Sequence, residues 1–143
     1  MTYRQAIDKI NSLLRFGSRP GLDRITKLLQ LLGNPHKGLS CVHVAGTNGK
    51  GSVCALLSSV LKNAGYKTGL FISPYVVDFR ERIQINGCMI PETQLSEITE
   101  QVLPFVEQMA TQNEIITEFE LITAIAFLYF KRQNCDIVVL ETG

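Results

Sequence analysis

The stretch Val42-His43-Val44-Ala45-Gly46-Thr47-Asn48-Gly49-Lys50-Gly51-Ser52 decides how this chain is read. A short β-branched run, a glycine-rich turn and an apolar periodic segment beginning at Val53 follow one another, which predicts strand, turn and helix. That is the layout of a phosphate-binding loop. Glycines let the backbone curl with its N–H groups inward, and the helix N-terminus turns its partial positive charge toward an anion. Gly46, Thr47, Asn48, Gly49, Lys50, Gly51 and Ser52 are therefore the candidate ATP-binding residues. Lys50, the candidate catalytic residue, brings a full charge toward the β- and γ-phosphates, and the Ser52 hydroxyl is a candidate Mg2+ ligand. An ordinary glycine turn has no need of lysine and serine at these positions. The spacing departs from the commonest form of the motif, which has a glycine where Val44 stands and Ser or Thr where Gly51 stands.

Upstream of the loop the pattern is helical. Thr2 with Gln5 forms a capping-box signature, and Ala6, Ile7, Ile10, Leu13 and Leu14 recur at helical spacing, predicting a helix from about Tyr3 to Leu14. The turn-forming run Phe16-Gly17-Ser18-Arg19-Pro20-Gly21 separates it from a second helix, with Leu22, Ile25, Leu28, Leu29 and Leu32 on one face, that ends at Gly33-Asn34-Pro35. His36 reads as a surface turn residue. His43, between Val42 and Val44 in the first strand, reads as a packed, hydrogen-bonded imidazole.

Downstream, Val53, Leu56, Leu57, Val60 and Leu61 keep a helical period up to Gly65, and Lys67 to Ile72 reads as a second strand ending in Ser73-Pro74. Strand, helix and strand in that order predict a parallel βαβ unit, whose ligands collect at the carboxyl ends of its strands. Residues 75–90 predict a small hairpin: Arg82 to Ile85 alternates, Asn86-Gly87 signals a type I′ turn, and Cys88-Met89-Ile90 returns. Pro91 and Glu92 open a helix carrying Leu95, Ile98, Val102, Phe105, Val106 and Met109, with a kink or break expected at Pro104. Thr117-Glu118-Phe119-Glu120 reads as the capping box of a long apolar helix. Asp136 to Leu140 suits a central parallel strand, and Glu141 at its carboxyl end stands where a nucleotide-binding enzyme places a Mg2+ ligand.

Composition bounds the rest. A chain of 143 residues, 45% apolar, can bury a core and is normally one domain. Fourteen basic against thirteen acidic residues, with no basic block, give no sign of nucleic-acid or anionic-membrane binding. No apolar run approaches the roughly 20 residues that span a bilayer, and no signal-peptide core is present, so a cytoplasmic protein is expected. Cys41, Cys54, Cys88 and Cys135 lack metal-ligand spacing and read as reduced thiols.

The loop variant Gly46 to Ser52 resembles that of the Mur ligase superfamily, and its Gly-Thr-Asn-Gly-Lys-Gly-Ser form resembles the folate branch, the folylpolyglutamate and dihydrofolate synthases. Ser73-Pro74, Arg80 to Gly87, Thr117 to Glu120 and Glu141 occur in the same order as in that branch, in a resemblance running from about Leu14 to Gly143. It implies an α/β fold: a partial parallel-sheet ATPase domain like the central domain of the Mur ligases, over residues 1–143, with helices on both faces and the hairpin at about 75–90 as an insertion.

It also implies residue roles. Ser73, otherwise a plain strand terminator, would join Glu141 and, less strongly, Ser52 at Mg2+. Thr117, Glu118, Phe119 and Glu120 would line the pterin pocket, with Phe119 stacking on the ring; Gly17, Ser18, Arg19 and Pro20 match a pterin-side loop by position only. Arg80 and Arg82 would steer an anionic substrate, the alternative being an exposed Glu81–Arg82 pair. The implied chemistry is ATP- and Mg2+-dependent amide formation between a reduced folate or dihydropteroate and L-glutamate, by a monomer when full length. The family continues beyond Gly143 with further sites and a C-terminal domain, so little or no turnover is expected of these residues alone. A ligase for another acid and a non-catalytic nucleotide-binding module are the competing readings.

Overall fold

The phosphate-loop stretch folds as strand, turn and helix in a computed structural model that describes residues 1–141. Thr142 and Gly143, which follow Glu141, lie outside the described residues. The chain divides into two compact units, one of residues 1–37 with 92–129 and one of residues 38–91 with 130–143.

The first unit is helical. Helix α1 (Tyr3–Ser12) is closed by the Thr2–Gln5 capping box and gives way to a 3-10 turn over Leu13–Phe16, so it ends two residues before the expected Leu14. Helix α2 spans Asp23–Leu31. The later helix α4 (Glu92–Ala110) packs against both α1 and α2, burying Leu95, Ile98, Val102, Val106 and Met109. Pro104 does not break it. The proline lies on the exposed face, where the carbonyl it deprives of a partner meets water. Helix α5 (Glu118–Arg132) adds the buried Leu121, Ile122 and Ile125.

The second unit carries a five-stranded sheet made of β1 (Cys41–Val44), β2 (Thr68–Phe71), β3 (Ile83–Ile85), β4 (Cys88–Met89) and β5 (Ile137–Glu141), in the order β1-β5-β2-β3-β4. β1, β5 and β2 are parallel, as expected, with β5 central. The hairpin does more than expected: it extends the same sheet, β3 antiparallel to β2 and β4 antiparallel to β3, so the sheet is mixed. Asn86 and Gly87 both take the positive φ that a type I′ turn demands, 50° and 81°. Asn86 also exchanges bonds with Thr68, its N–H donating to Thr68 O at 2.9 Å and its Oδ1 accepting Thr68 N–H at 2.9 Å, which fixes the hairpin's register.

Helix α3 (Lys50–Asn63) covers one face of this sheet, where Cys54, Leu70 and Val139 form a core with Val44, Leu57, Leu61 and Ile72 packed around it. On the opposite face Phe130, near the end of α5, lies against Gly69. Side chains alternate across a strand, so residues 69 and 70 face opposite ways and the sheet has helices on both sides. β1 is an edge strand, and His43 is exposed rather than packed. His36 is half-buried instead of on the surface, its ring 6.0 Å from that of Phe127. All four cysteines are free. Among the described residues no helix is long and apolar enough to cross a membrane.

Candidate functional site

In the second unit, the carboxyl ends of the three parallel strands bring the nucleotide candidates together. Val44, which ends β1 and feeds the phosphate loop, is paired in register with Glu141, which ends β5. Ser73 follows β2, and its N–H donates to Glu141 Oε2 at 3.2 Å. Glu141 is buried. The backbone of Ser73 and the side chain of Glu141, two of the three residues singled out for a metal, thus meet at the carboxyl ends of the strands.

The loop itself curls as the sequence requires. Gly46 has φ 149° and Gly49 has φ 74°, and Gly49 is the N-cap of α3. The helix begins at Lys50, three residues before the apolar period starts at Val53, because Lys50, Gly51 and Ser52 form a first turn with no apolar signature. The start is useful for anions: the first N–H groups of a helix have no partner one turn back along the helix, and its N-terminus carries a partial positive charge. The Cys54 thiol, one turn below Lys50, is held above its ordinary pKa by burial first, then by Glu141, while Lys50 pulls it down. Both charges are therefore felt at one buried point. Ser52 is exposed in the first turn.

Among the described residues no group of three or more His, Cys, Asp or Glu gathers in a metal cage. A carboxylate and a hydroxyl fit Mg2+ all the same, since this ion is held by one or two carboxylates together with phosphate oxygens and water.

Between Ser73 and β3 the chain is tied down by Glu81. Its carboxylate accepts the N–H groups of Val76, Val77 and Asp78 at 3.0, 2.9 and 2.7 Å, and Asp78 caps a 3-10 turn over Phe79–Arg82. Those amides, Asp78's first, hold the Glu81 carboxyl below its usual pKa. Arg80 is paired with Asp78 at 2.8 Å and reaches Ile90 O at 3.4 Å. Arg82 is buried with its guanidinium 5.3 Å from the Phe79 ring. The Asp-x-x-Glu spacing at 78–81 is the signal by which this second capping box could have been found.

In the first unit, the candidates for the acid substrate also meet. Thr117 N–H donates to Glu120 Oε1 at 3.0 Å and Glu120 N–H to Thr117 Oγ1 at 3.2 Å, completing the capping box. Thr117, Glu118 and Glu120 are buried, whereas Phe119 is 38% exposed. Arg24 Nε donates to Glu120 Oε1 at 3.2 Å while its Nη2 donates to Arg19 O at 3.0 Å and Pro20 O at 3.5 Å. The 17–20 loop and the start of α5 are joined through that one side chain.

Comparison with known proteins adds to this geometry. The chain is 45% identical over 143 residues to the dihydrofolate synthase/folylpolyglutamate synthase of Bacillus subtilis, covering 99% of this chain and 33% of that protein. It superposes on the folylpolyglutamate synthase of Thermotoga maritima with a TM-score of 0.92 at 39% identity, over 99% of this chain and 33% of that one. The chain belongs to the folylpolyglutamate/dihydrofolate synthase family. It matches the N-terminal part and spans about a third of the length of these relatives. A folylpolyglutamate synthase solved with AMPPCP and folate matches all of this chain with a TM-score of 0.91 at 36% identity. No protein-family profile matches.

Within this family member, sequence reading missed Arg24 as a site residue. Its partner Glu120 is 96 positions away, and no local pattern announces such a pairing.

Proposed function

We propose that these residues form the ATP-binding part of an ATP-dependent folate:L-glutamate ligase acting in the cytoplasm on small molecules. The observation that carries the reading is the contact of Ser73 with the Glu141 carboxylate beside the phosphate loop, at the ends of parallel strands. Support comes from the relatives, which are named for this ligation, and from one solved with a nucleotide analogue and folate together.

The reaction asks for positioning and charge neutralisation rather than a general base. A carboxylate oxygen of the folate attacks the γ-phosphorus of ATP, ADP leaves, and an acyl phosphate results. The amine of L-glutamate then attacks the acyl carbon, phosphate leaves, and the nitrogen gives up a proton to form the amide. Lys50 and the amides of residues 46–52 stabilise negative charge on the β- and γ-phosphates. Glu141 and Ser73, with Ser52 beside the loop, are the residues that would hold Mg2+, which when bound neutralises phosphate charge. Thr117, Glu118, Phe119 and Glu120 form the pterin wall, with the exposed ring of Phe119 for stacking, and the loop Gly17 to Pro20 borders it. Arg80 and Arg82, in the segment after Ser73, would steer the anionic substrate or phosphate.

Calorimetry on this chain with MgATP, dihydropteroate and L-glutamate tests the reading. Binding of both MgATP and dihydropteroate supports it. Nucleotide binding alone would make the chain a nucleotide-binding module, and binding of neither would overturn the proposal.

A further inference from the structure

The geometry points to Arg24 as a positioning residue for the acid substrate: it clamps the 17–20 loop to the Glu120 carboxylate and so sets the shape of the pterin wall. The inference rests on the reading above that both segments meet the folate. Arg24 lies in the first turn of α2, and its guanidinium is directed three ways, to Glu120 Oε1, Arg19 O and Pro20 O. Its side chain is 19% exposed and that of Glu120 10%. The charge is already matched within the protein, so Arg24 does not meet the substrate's own carboxylates. What it supplies is shape.

Two features make the clamp matter. Gly17 and Gly21 bracket the loop at φ 62° and 102°, where glycine meets no Cβ penalty and the backbone itself supplies little restraint. Among the described residues, positions 18–21 make no hydrogen bond other than those two carbonyl bonds to Arg24. At the far end of the clamp, Glu120 Oε1 is shared by Arg24 Nε and Thr117 N–H, while Oε2 takes part in neither bond. Arg24 thereby fixes which carboxylate oxygen is committed inside the protein and which is left for a ligand's N–H. A lysine could not reproduce this, since one ammonium cannot span a carboxylate and two carbonyls in the planar fork that guanidinium offers.

The test compares R24K and R24A with the unaltered chain. Amide hydrogen exchange is followed at positions 18, 19 and 21, and calorimetry is run with dihydropteroate and separately with MgATP. Both variants are expected to speed exchange in the loop and weaken dihydropteroate binding about tenfold, the scale of one lost charge-assisted bond, with MgATP affinity unchanged. If R24A fails to fold, R24K decides. Lysine keeping the wild-type exchange rates and dihydropteroate affinity would overturn the clamp, because charge alone would then suffice. Equal loss of MgATP and dihydropteroate binding would overturn it too, marking a general structural role. Should the unaltered chain bind no dihydropteroate, the pterin reading fails and the clamp with it as a substrate device, while loop exchange still reports whether the tether exists.

Discussion

A Cβ placed on Gly69 would stand 2.8 Å from Cδ1 and 2.9 Å from Cε1 of Phe130, closer than real contacts allow. The ring is fully buried and cannot swing aside. Gly69→Ala is therefore expected to cost about 1–3 kcal/mol, read as a lower urea midpoint with an unchanged slope. Lys50 and Glu141 should separate in their metal dependence. Lys50→Ala removes a charge that meets phosphate directly, so nucleotide affinity falls with or without Mg2+. Glu141→Gln keeps the volume and removes the metal's charge partner, so its effect should vanish when EDTA is present. Calorimetric titration with ATP in both buffers checks this; a Glu141→Gln defect that persists in EDTA would refute the assignment.

At the scale of elements, the loop after β2 is held by a carboxylate rather than by packing: Val76 is 88% exposed and Val77 86%. Glu81 titrates below the ordinary carboxylate value because three amides favour its charged form. A depressed pKa contributes stability that is full above the unfolded value, about 4.3, and is lost as pH falls through the folded one. The amide proton shifts of Val76, Val77 and Asp78 should thus hold steady through the usual glutamate range and move together below it. Titration at the ordinary value would show that the three bonds do not persist in solution. Much of this element-level picture was legible. Thr2 with Gln5, Thr117 with Glu120 and Asn86-Gly87 are local signals, each acting within four residues, and each formed as read. What spans the chain was not legible. Arg24 with Glu120, β5 between β1 and β2, and the hairpin's addition to the sheet all depend on segments that meet only in three dimensions. The reading of His43 failed for a related reason: flanking valines reveal a strand but not whether it lies at an edge.

Across the molecule, α3 has an apolar stripe too many. Cys54, Leu57 and Leu61 serve the sheet, yet Val53, Leu56 and Val60, spaced along another face, are 46%, 66% and 56% exposed. Contiguous apolar surface of this kind promotes association. Leu56→Lys in the 143-residue chain should raise the concentration at which light scattering begins, with stability changed by no more than about 0.5 kcal/mol, as for a surface position. An unchanged scattering threshold would argue that this stripe does not drive association.

The sheet order also sets a timetable for synthesis. β2 finds its antiparallel neighbour β3, and β3 finds β4, within about twenty residues of chain, so that half can assemble soon after the ribosome has made it. β1 waits far longer: among the described residues its one strand partner is β5, nearly a hundred positions later. Until translation reaches residue 137, the strand that leads into the phosphate loop has nothing to zip against, and nascent chains stalled short of it should be unable to present a formed nucleotide cradle.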